Sequence, residues 1–95
     1  MASRLVVLSG EAQEDLQDIF STSLQRWSFV QTQRYMDGFD KVFADLASGD
    51  RPADLMPLGS AGLRRILVSS HAVFIREENG VVNVVRVIHQ AQRLP

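Results

Sequence analysis

The amino-acid sequence predicts an α+β domain with the element order β-α-α-β-β-β, in which an antiparallel helix hairpin packs on a mostly antiparallel sheet. Three observations support this prediction. The chain opens with a short apolar run, continues with two segments whose apolar residues recur at helical spacing, and ends with three segments rich in β-branched residues. Its 95 residues suffice for one domain, and we assign residues 1–95 to it.

An apolar run indicates the first strand, and capping residues indicate the two helices. The apolar run Leu5–Leu8 is typical of a short buried strand, and Ser9 directly after it is a favourable helix N-cap. A second helix is expected to begin at Ser28, in a capping box with Gln31, and to end at Gly49. The apolar positions are Ala12, Leu16, Ile19, Phe20 and Leu24 in the first helix and Tyr35, Phe39, Val42, Phe43 and Leu46 in the second.

The second half of the chain is predicted to be a loop followed by three strands. Residues 50–62 contain two prolines and two glycines, which favour a loop. Asn79-Gly80 is a strong signal for a two-residue hairpin turn, and Ser69-Ser70 is a weaker one. The predicted strands are Leu63–Val68, Ala72–Glu77 and Val81–Ile88.

These turns imply a register for the sheet. If both hairpin loops have two residues, Ile66 pairs with Val73 and Phe74 pairs with Val85. Both faces of the sheet are then largely apolar, yet two helices can cover only one of them. We therefore expect an apolar, arginine-rimmed face that binds a protein partner, unless strand curvature or the C-terminal tail covers it.

Composition excludes several classes of protein. There is no cysteine, so disulfides, thiolate nucleophiles and zinc–cysteine sites are excluded. No apolar run is long enough to span a bilayer, and we expect a cytoplasmic protein. The net charge of −1 argues against affinity that comes from coating nucleic acid phosphates. Residues 1–50 carry four basic against eight acidic side chains, whereas residues 51–95 carry six arginines against three acidic side chains.

Catalytic signals are weak. The two histidines, His71 and His89, lie on opposite faces in the predicted register, so a shared metal site is not expected and no cofactor is predicted. A metal-free ribonuclease needs a general base, a general acid and cations, which Arg65, Arg76 and His89 could partly supply on one face. The simpler interpretation is that His89 packs or caps at a strand end and that Trp27 anchors the helix hairpin.

A resemblance to a known family covers nearly the whole chain. The ordered segments that carry it are Ser9-Gly10-Glu11-Ala12-Gln13-Glu14-Asp15-Leu16, Gln25-Arg26-Trp27, Gln33-Arg34-Tyr35, Gly62-Leu63-Arg64-Arg65, Ser70-His71-Ala72-Val73-Phe74 and Val85-Arg86-Val87-Ile88-His89-Gln90. Together they resemble the ParE branch of the RelE/ParE toxin superfamily from bacterial toxin–antitoxin systems. The resemblance implies the same βααβββ fold. It also implies a ParD-like antitoxin of the ribbon-helix-helix type, whose C-terminal segment packs on the helices and the sheet.

The resemblance implies an activity as well. ParE-like members poison DNA gyrase, whereas RelE-like members cleave messenger RNA on the ribosome and are usually strongly basic. With one lysine and no tyrosine after Tyr35, this chain is more similar to the gyrase poisons. The alternatives are ribosome-dependent cleavage of messenger RNA, and antitoxin binding without toxicity. The candidate target-binding residues are Arg64, Arg65, His71, Arg86 and His89. The candidate antitoxin-binding residues are Leu16, Phe20, Trp27, Phe74 and Val85.

Overall fold

The computed structural model describes residues 4–50, 55–59 and 62–91. Its elements are β1 (Leu5–Leu8), α1 (Gly10–Arg26), α2 (Phe29–Ser48), β2 (Leu55–Pro57), β3 (Leu63–Val68), β4 (His71–Glu78) and β5 (Val81–His89). The strands form one sheet in the order β1-β5-β4-β3-β2. Only β1 and β5 pair in parallel among these strands, so the predicted mostly antiparallel sheet is confirmed.

The helices begin and end where their capping residues predict. The hydroxyl of Ser9 accepts a hydrogen bond from the Ala12 amide at 3.0 Å, and that of Ser28 accepts one from the Gln31 amide at 3.2 Å. These bonds satisfy amides that have no partner within the first turn of a helix. Gly49 ends α2 at a φ of 85°, a left-handed conformation that glycine adopts without strain.

The main core lies between the helices and one face of the sheet. Phe39 and Leu46 of α2 are 1% exposed, which confirms the predicted apolar face of that helix. In α1 the apolar residue Leu24 is 40% exposed, whereas the neighbouring Ser23 is buried. The sheet contributes Ile66, Val73, Ile75, Val82, Val84 and Val87 to this core.

The predicted loop over residues 50–62 contains a short strand. β2 pairs antiparallel with β3, with Met56 opposite Arg65. A strand of three residues is too short to show an alternating pattern of apolar and polar residues in the sequence. The proline of β2 is compatible with an edge strand, because the outer side of such a strand needs no amide donor. The sheet therefore has β2 as one edge and β1 as the other.

The predicted register holds through both hairpin turns and then fails. Val68 pairs with His71, Glu78 pairs with Val81, and Ile66 pairs with Val73 as expected. Phe74, however, pairs with Arg86 rather than Val85, because β5 contains a β-bulge between the Ile75–Val84 and Phe74–Arg86 pairs. The extra residue, Val85, reverses the alternation of faces over the rest of β5.

Helix α1 supplies the hydrogen bonds that hold this bulge. The Ser9 hydroxyl donates to the Val85 carbonyl at 2.8 Å, and the Val87 amide donates to Asp15 Oδ2 at 2.9 Å. Arg86 donates to both carboxylate oxygens of Asp15, from Nε at 2.7 Å and from Nη2 at 3.0 Å. The hydrogen bond to Asp15 raises the pKa of Arg86, and both side chains are mostly buried. We call Asp15, Arg86 and the Val87 amide the bulge clamp.

The sheet face opposite the helices is only partly open. Ala72, Phe74 and Ile88 form a second buried cluster there, with Leu58 and Leu67 packed against it. On β1, by contrast, Leu5 and Val7 are 63% and 41% exposed. The expected uncovered apolar face is therefore found at the β1 end of the sheet and not over Phe74.

The bulge clamp can be tested by replacing Asp15 with asparagine. Asp15→Asn keeps the shape of the side chain but removes its charge, so the charge-assisted bonds from Arg86 weaken. We expect the free energy of unfolding to fall by about 1–3 kcal/mol in urea denaturation.

The matched control is Asp40→Asn, because Asp40 is an exposed aspartate on α2. This change should alter stability by less than about 0.5 kcal/mol. Equal effects of the two substitutions would show that the clamp contributes nothing beyond an ordinary surface carboxylate.

Candidate functional site

The bulge brings the two histidines together. His71 at the start of β4 pairs directly with His89 at the end of β5, and their ring centroids are 5.4 Å apart. The prediction that they lie on opposite faces was wrong, because it assumed unbroken alternation along β5. One inserted residue changes the face of every later residue in the strand.

Two aromatic residues from the helix hairpin complete this cluster. The Tyr35 hydroxyl and His71 Nδ1 form a hydrogen bond of 2.5 Å. The Trp27 ring packs on the Tyr35 ring at a centroid distance of 5.3 Å, and the Phe39 ring lies 6.0 Å from that of His71. Trp27 thus contacts the second helix across the turn, as the hairpin-anchor interpretation requires, while 40% of its surface stays exposed.

The histidines and Trp27 line a cleft of about 310 Å³. Thr22 and Arg26 from the end of α1 and Ser70 from the β3–β4 turn lie along the same cleft. With Asp18 of α1, it combines hydroxyls, one carboxylate, one guanidinium, two imidazoles and an aromatic wall. We call it the histidine cleft.

The two imidazoles differ in their surroundings. Burial lowers the pKa of His71, and the nearby His89 lowers it further, so the neutral imidazole is favoured at this position. His89 Nδ1 accepts a hydrogen bond from the Ala91 amide at 3.1 Å, so the neutral His89 ring carries its proton on Nε2. A ring nitrogen engaged in this way is not available as a metal ligand.

The residues considered for a ribonuclease are divided between the two faces of the sheet. Arg65 lies opposite Phe74, and Arg76 lies two residues further along β4, so both are on the face of the second buried cluster. His89 instead contacts His71, which meets Tyr35 and Phe39 of α2 on the helix face. The structure does not bring Arg65, Arg76 and His89 together.

The candidate target-binding arginines also have different environments. Arg86 belongs to the bulge clamp, and Arg64 Nε lies 3.9 Å from Glu77 Oε1. Arg65 Nη2 contacts the sulfur of Met56 at 3.3 Å, and in the described part of the chain it has no carboxylate partner. Arg76 likewise forms no ion pair there, and its Nε atom, like that of Arg65, is buried without a hydrogen-bond partner.

Two of the candidate antitoxin-binding residues line a groove on the outer side of the helix hairpin. Leu16 and Phe20 of α1 face Gln33 and Met36 of α2 across a groove of about 480 Å³. The sequence prediction missed Phe29, which lies at the same end and packs edge-to-face on Phe20 at 6.5 Å while 62% exposed. Phe29 lies three residues before the buried Thr32 and seven before Met36, so it continues the apolar stripe of α2 to the start of the helix, and this spacing is the signal that could have revealed it. We call this the hairpin groove.

The remaining antitoxin-binding candidates lie elsewhere. Trp27 borders the histidine cleft, at the turn between the helices. Phe74 is 8% exposed within the second buried cluster, so it presents little surface to a partner. Val85 is the extra residue of the bulge, half-buried, with its carbonyl bound by Ser9.

The described residues contain neither a cluster of metal ligands nor a helix that could span a membrane. Residues 4–50, 55–59 and 62–91 contain no group of three or more side chains that could hold a metal ion. Within the same ranges, neither helix has the length and apolar character needed to cross a membrane.

Solved structures with the same architecture define the class of fold. A chain of the chromosomal ParDE toxin–antitoxin system from P. aeruginosa superposes with a TM-score of 0.73 at 12% identity, covering 92% of this chain and 96% of that one. YafQ from E. coli superposes with a TM-score of 0.67 at 17% identity, covering 93% and 94%. The toxin–antitoxin complex RelBE2 from Mycobacterium tuberculosis gives 0.62 at 19% identity, covering 97% of each chain. The fold is that of the RelE/ParE toxins.

Sequence comparisons identify one family within this class of fold. The family model for the ParE toxin of the type II toxin–antitoxin system parDE matches residues 6–94. Toxin ParE1 of Mycobacterium tuberculosis is 32% identical over 95 residues, covering 95% of this chain and 92% of that protein. Toxin ParE1 of Caulobacter vibrioides is 35% identical over 88 residues, covering 88% and 86%. The chain belongs to the ParE toxin family of type II toxin–antitoxin systems, which confirms the resemblance found in the sequence.

The lowered pKa of His71 predicts how stability depends on pH. Below the unfolded-state pKa of about 6.5 the unfolded chain takes up a proton at this site that the folded chain does not. The contribution of His71 to stability is therefore complete above pH 6.5 and is lost as the pH falls below that value. His71→Gln should flatten this part of the stability curve, measured by urea denaturation between pH 5 and 8.

A direct measurement uses NMR titration of the two imidazoles. His71 should titrate below 6.5, and His89→Gln should move its midpoint upward without restoring the ordinary value, because burial is the larger cause. A His71 midpoint at or above 6.5 would contradict the assignment of a buried, neutral ring.

Proposed function

We propose that this toxin acts by binding and poisoning DNA gyrase, and that a ParD-like antitoxin neutralises it. The match to the ParE family over residues 6–94 and the two ParE1 relatives support this branch over the RelE branch. Both partners would be met in the bacterial cytoplasm.

The observation that carries the proposal is the division of the ribonuclease residues between two faces. Cleavage of RNA without a metal needs an acid, a base and cations around one phosphate. Here Arg65 and Arg76 lie on one side of the sheet and His89 on the other. A surface that recognises a protein does not need these groups to converge.

The sheet face opposite the helices, with the exposed side of β1, is the surface that best fits the target. Arg65 and Arg76 are partly exposed and form no ion pair within the described residues, so a carboxylate of a partner can pair with either guanidinium group. Towards the β1 edge the exposed Leu5 and Val7 add an apolar surface. A carboxylate of the target would form an ion pair with these arginines, while apolar residues of the target would cover the exposed side of β1. Arg64, His71, Arg86 and His89 remain candidates, but each has contacts within the fold.

The hairpin groove is the surface that best fits the antitoxin. Its floor is apolar at Leu16, Phe20 and Met36, and the exposed Phe29 extends it. The helices around it are acidic, since residues 1–50 carry four basic against eight acidic side chains. We infer that the antitoxin presents an amphipathic segment whose apolar side chains fill the groove and whose lysines or arginines face the acidic helices.

The gyrase proposal predicts a DNA cleavage product. Purified chain incubated with gyrase, ATP and relaxed plasmid should reduce supercoiling and produce linear DNA in proportion to its concentration. Replacing both arginines of this face, as Arg65→Gln with Arg76→Gln, should raise the half-effective concentration at least tenfold. Lys41→Gln, a change to a cation 74% exposed on α2, should leave it unchanged.

Folding of each variant is checked by circular dichroism and urea denaturation before the gyrase assay. If the folded parent chain produces no linear DNA at any concentration, the gyrase proposal is wrong. Ribosome-bound messenger cleavage is then the next activity to measure.

The antitoxin proposal predicts that a charge in the hairpin groove abolishes neutralisation. Phe29→Glu should weaken binding of the cognate antitoxin at least tenfold in isothermal titration calorimetry, because it places a carboxylate against an apolar segment. Since Phe29 is mostly exposed, the toxin itself should stay folded.

Lys41→Glu adds the same side chain on the same helix, away from the groove, and serves as the control. Equal weakening by both variants would indicate that the antitoxin responds to overall charge and not to the groove.

A further inference from the structure

Trp27 and Tyr35 form an aromatic ridge between two clefts. Their rings are tilted by 52° at a centroid distance of 5.3 Å, and Trp27 is 40% exposed. On one side of the ridge lies the histidine cleft of about 310 Å³. On the other side lies a shallower cleft of about 470 Å³, lined by Gln31, Arg34 and Ser69 in addition to the two rings. We call the second one the Arg34 cleft.

Each cleft contains one arginine. Arg26, in the last turn of α1, borders the histidine cleft, and Arg34, in the second turn of α2, borders the other. Both are exposed, and neither forms an ion pair with a carboxylate within the described ranges. In a half of the chain that is acidic overall, these two cations stand on either side of an exposed aromatic ring.

This spacing of groups matches the chemistry of a nucleotide in a single strand. Every base in a strand is flanked by two phosphates, and an exposed aromatic ring stacks on a base of any sequence. The guanidinium group of arginine binds phosphate oxygens through two parallel hydrogen bonds. A cation on each side of one stacking ring therefore offers a contact for the base and for both neighbouring phosphates.

The polar lining of the histidine cleft favours binding of a nucleoside phosphate over binding of an isolated anion. The carboxylate of Asp18 lies in the same cleft and repels an isolated phosphate, but it accepts hydrogen bonds from sugar hydroxyls or base amino groups. The hydroxyls of Thr22 and Ser70 can serve as donors or acceptors. Such a mixture suits a ligand that has a base, a sugar and a phosphate.

We propose that the aromatic ridge, with Arg26 and Arg34 on its two sides, binds a nucleotide of single-stranded nucleic acid without sequence preference, by stacking its base on Trp27. The net charge of −1 is compatible with this, because only two phosphates are contacted and no extended basic surface is needed. The proposal is independent of gyrase poisoning, since it concerns the helix turn and not the sheet face that carries Arg65 and Arg76.

Trp27 is the only tryptophan of the chain, so its fluorescence reports on this site alone. Titration with a single-stranded thymidylate octamer at low salt should quench this fluorescence to saturation. Two phosphate contacts predict a slope of roughly −1.4 for the logarithm of the association constant against the logarithm of salt concentration. Arg26→Gln and Arg34→Gln should each reduce the slope by roughly 0.7.

Loss of the ring is measured with a labelled octamer, because Trp27→Ala removes the intrinsic signal. By fluorescence anisotropy Trp27→Ala should weaken binding roughly 5- to 150-fold. Lys41→Gln is the matched control for charge, since it also removes one cation from α2, and it should leave both affinity and salt slope unchanged.

Thymidine monophosphate and inorganic phosphate form the two comparison arms. If the monophosphate binds more weakly than the octamer and phosphate causes no quenching, the ligand is a single strand, as proposed. If the monophosphate binds as tightly as the octamer, the site binds a nucleotide, but its ligand is a free nucleotide and not a strand. The proposal is overturned if the folded chain binds neither, or if Lys41→Gln weakens binding as much as Arg26→Gln. Because gyrase is absent from every arm, these outcomes do not depend on the gyrase assay.

Discussion

The contact of Asp15 with Arg86 and the Val87 amide determines the geometry of this fold at its functional end. A bulge leaves backbone groups unpaired, and an unpaired buried amide or carbonyl destabilises a sheet. Helix α1 supplies the missing partners through the carboxylate of Asp15 and the hydroxyl of Ser9. With the bulge held in this way, the last residues of β5 change face, and His89 comes to lie beside His71.

Local structure was largely predictable, because short-range chemistry determines it. Ser9, Ser28 and Gly49 mark the helix ends, and Asn79-Gly80 marks a hairpin turn whose two residues both have positive φ. The family was also recognisable, because its signals are spread along the whole chain. These features depend on residues within a few positions of each other, or on their order.

The bulge could not be predicted, and the histidine cleft could not be predicted for the same reason. Nothing in the apolar run of β5 indicates an irregularity, since either register places valines in the core. Its partners, Ser9 and Asp15, lie more than seventy residues earlier in the sequence. The grouping of the candidate residues into surfaces therefore depended on a contact that only the folded chain shows.

The parallel pairing of β1 with β5 has a consequence for how the protein is made. The strand β1 pairs with β5, so the sheet is complete only after β5 has left the ribosome. The two helices are synthesised long before, and until β5 arrives the residues that hold its bulge have no partners. Contacts that join distant parts of a chain form slowly, because a long loop must close first. Translation thus produces the helix hairpin, with its apolar core surface still exposed, well before it produces a folded toxin.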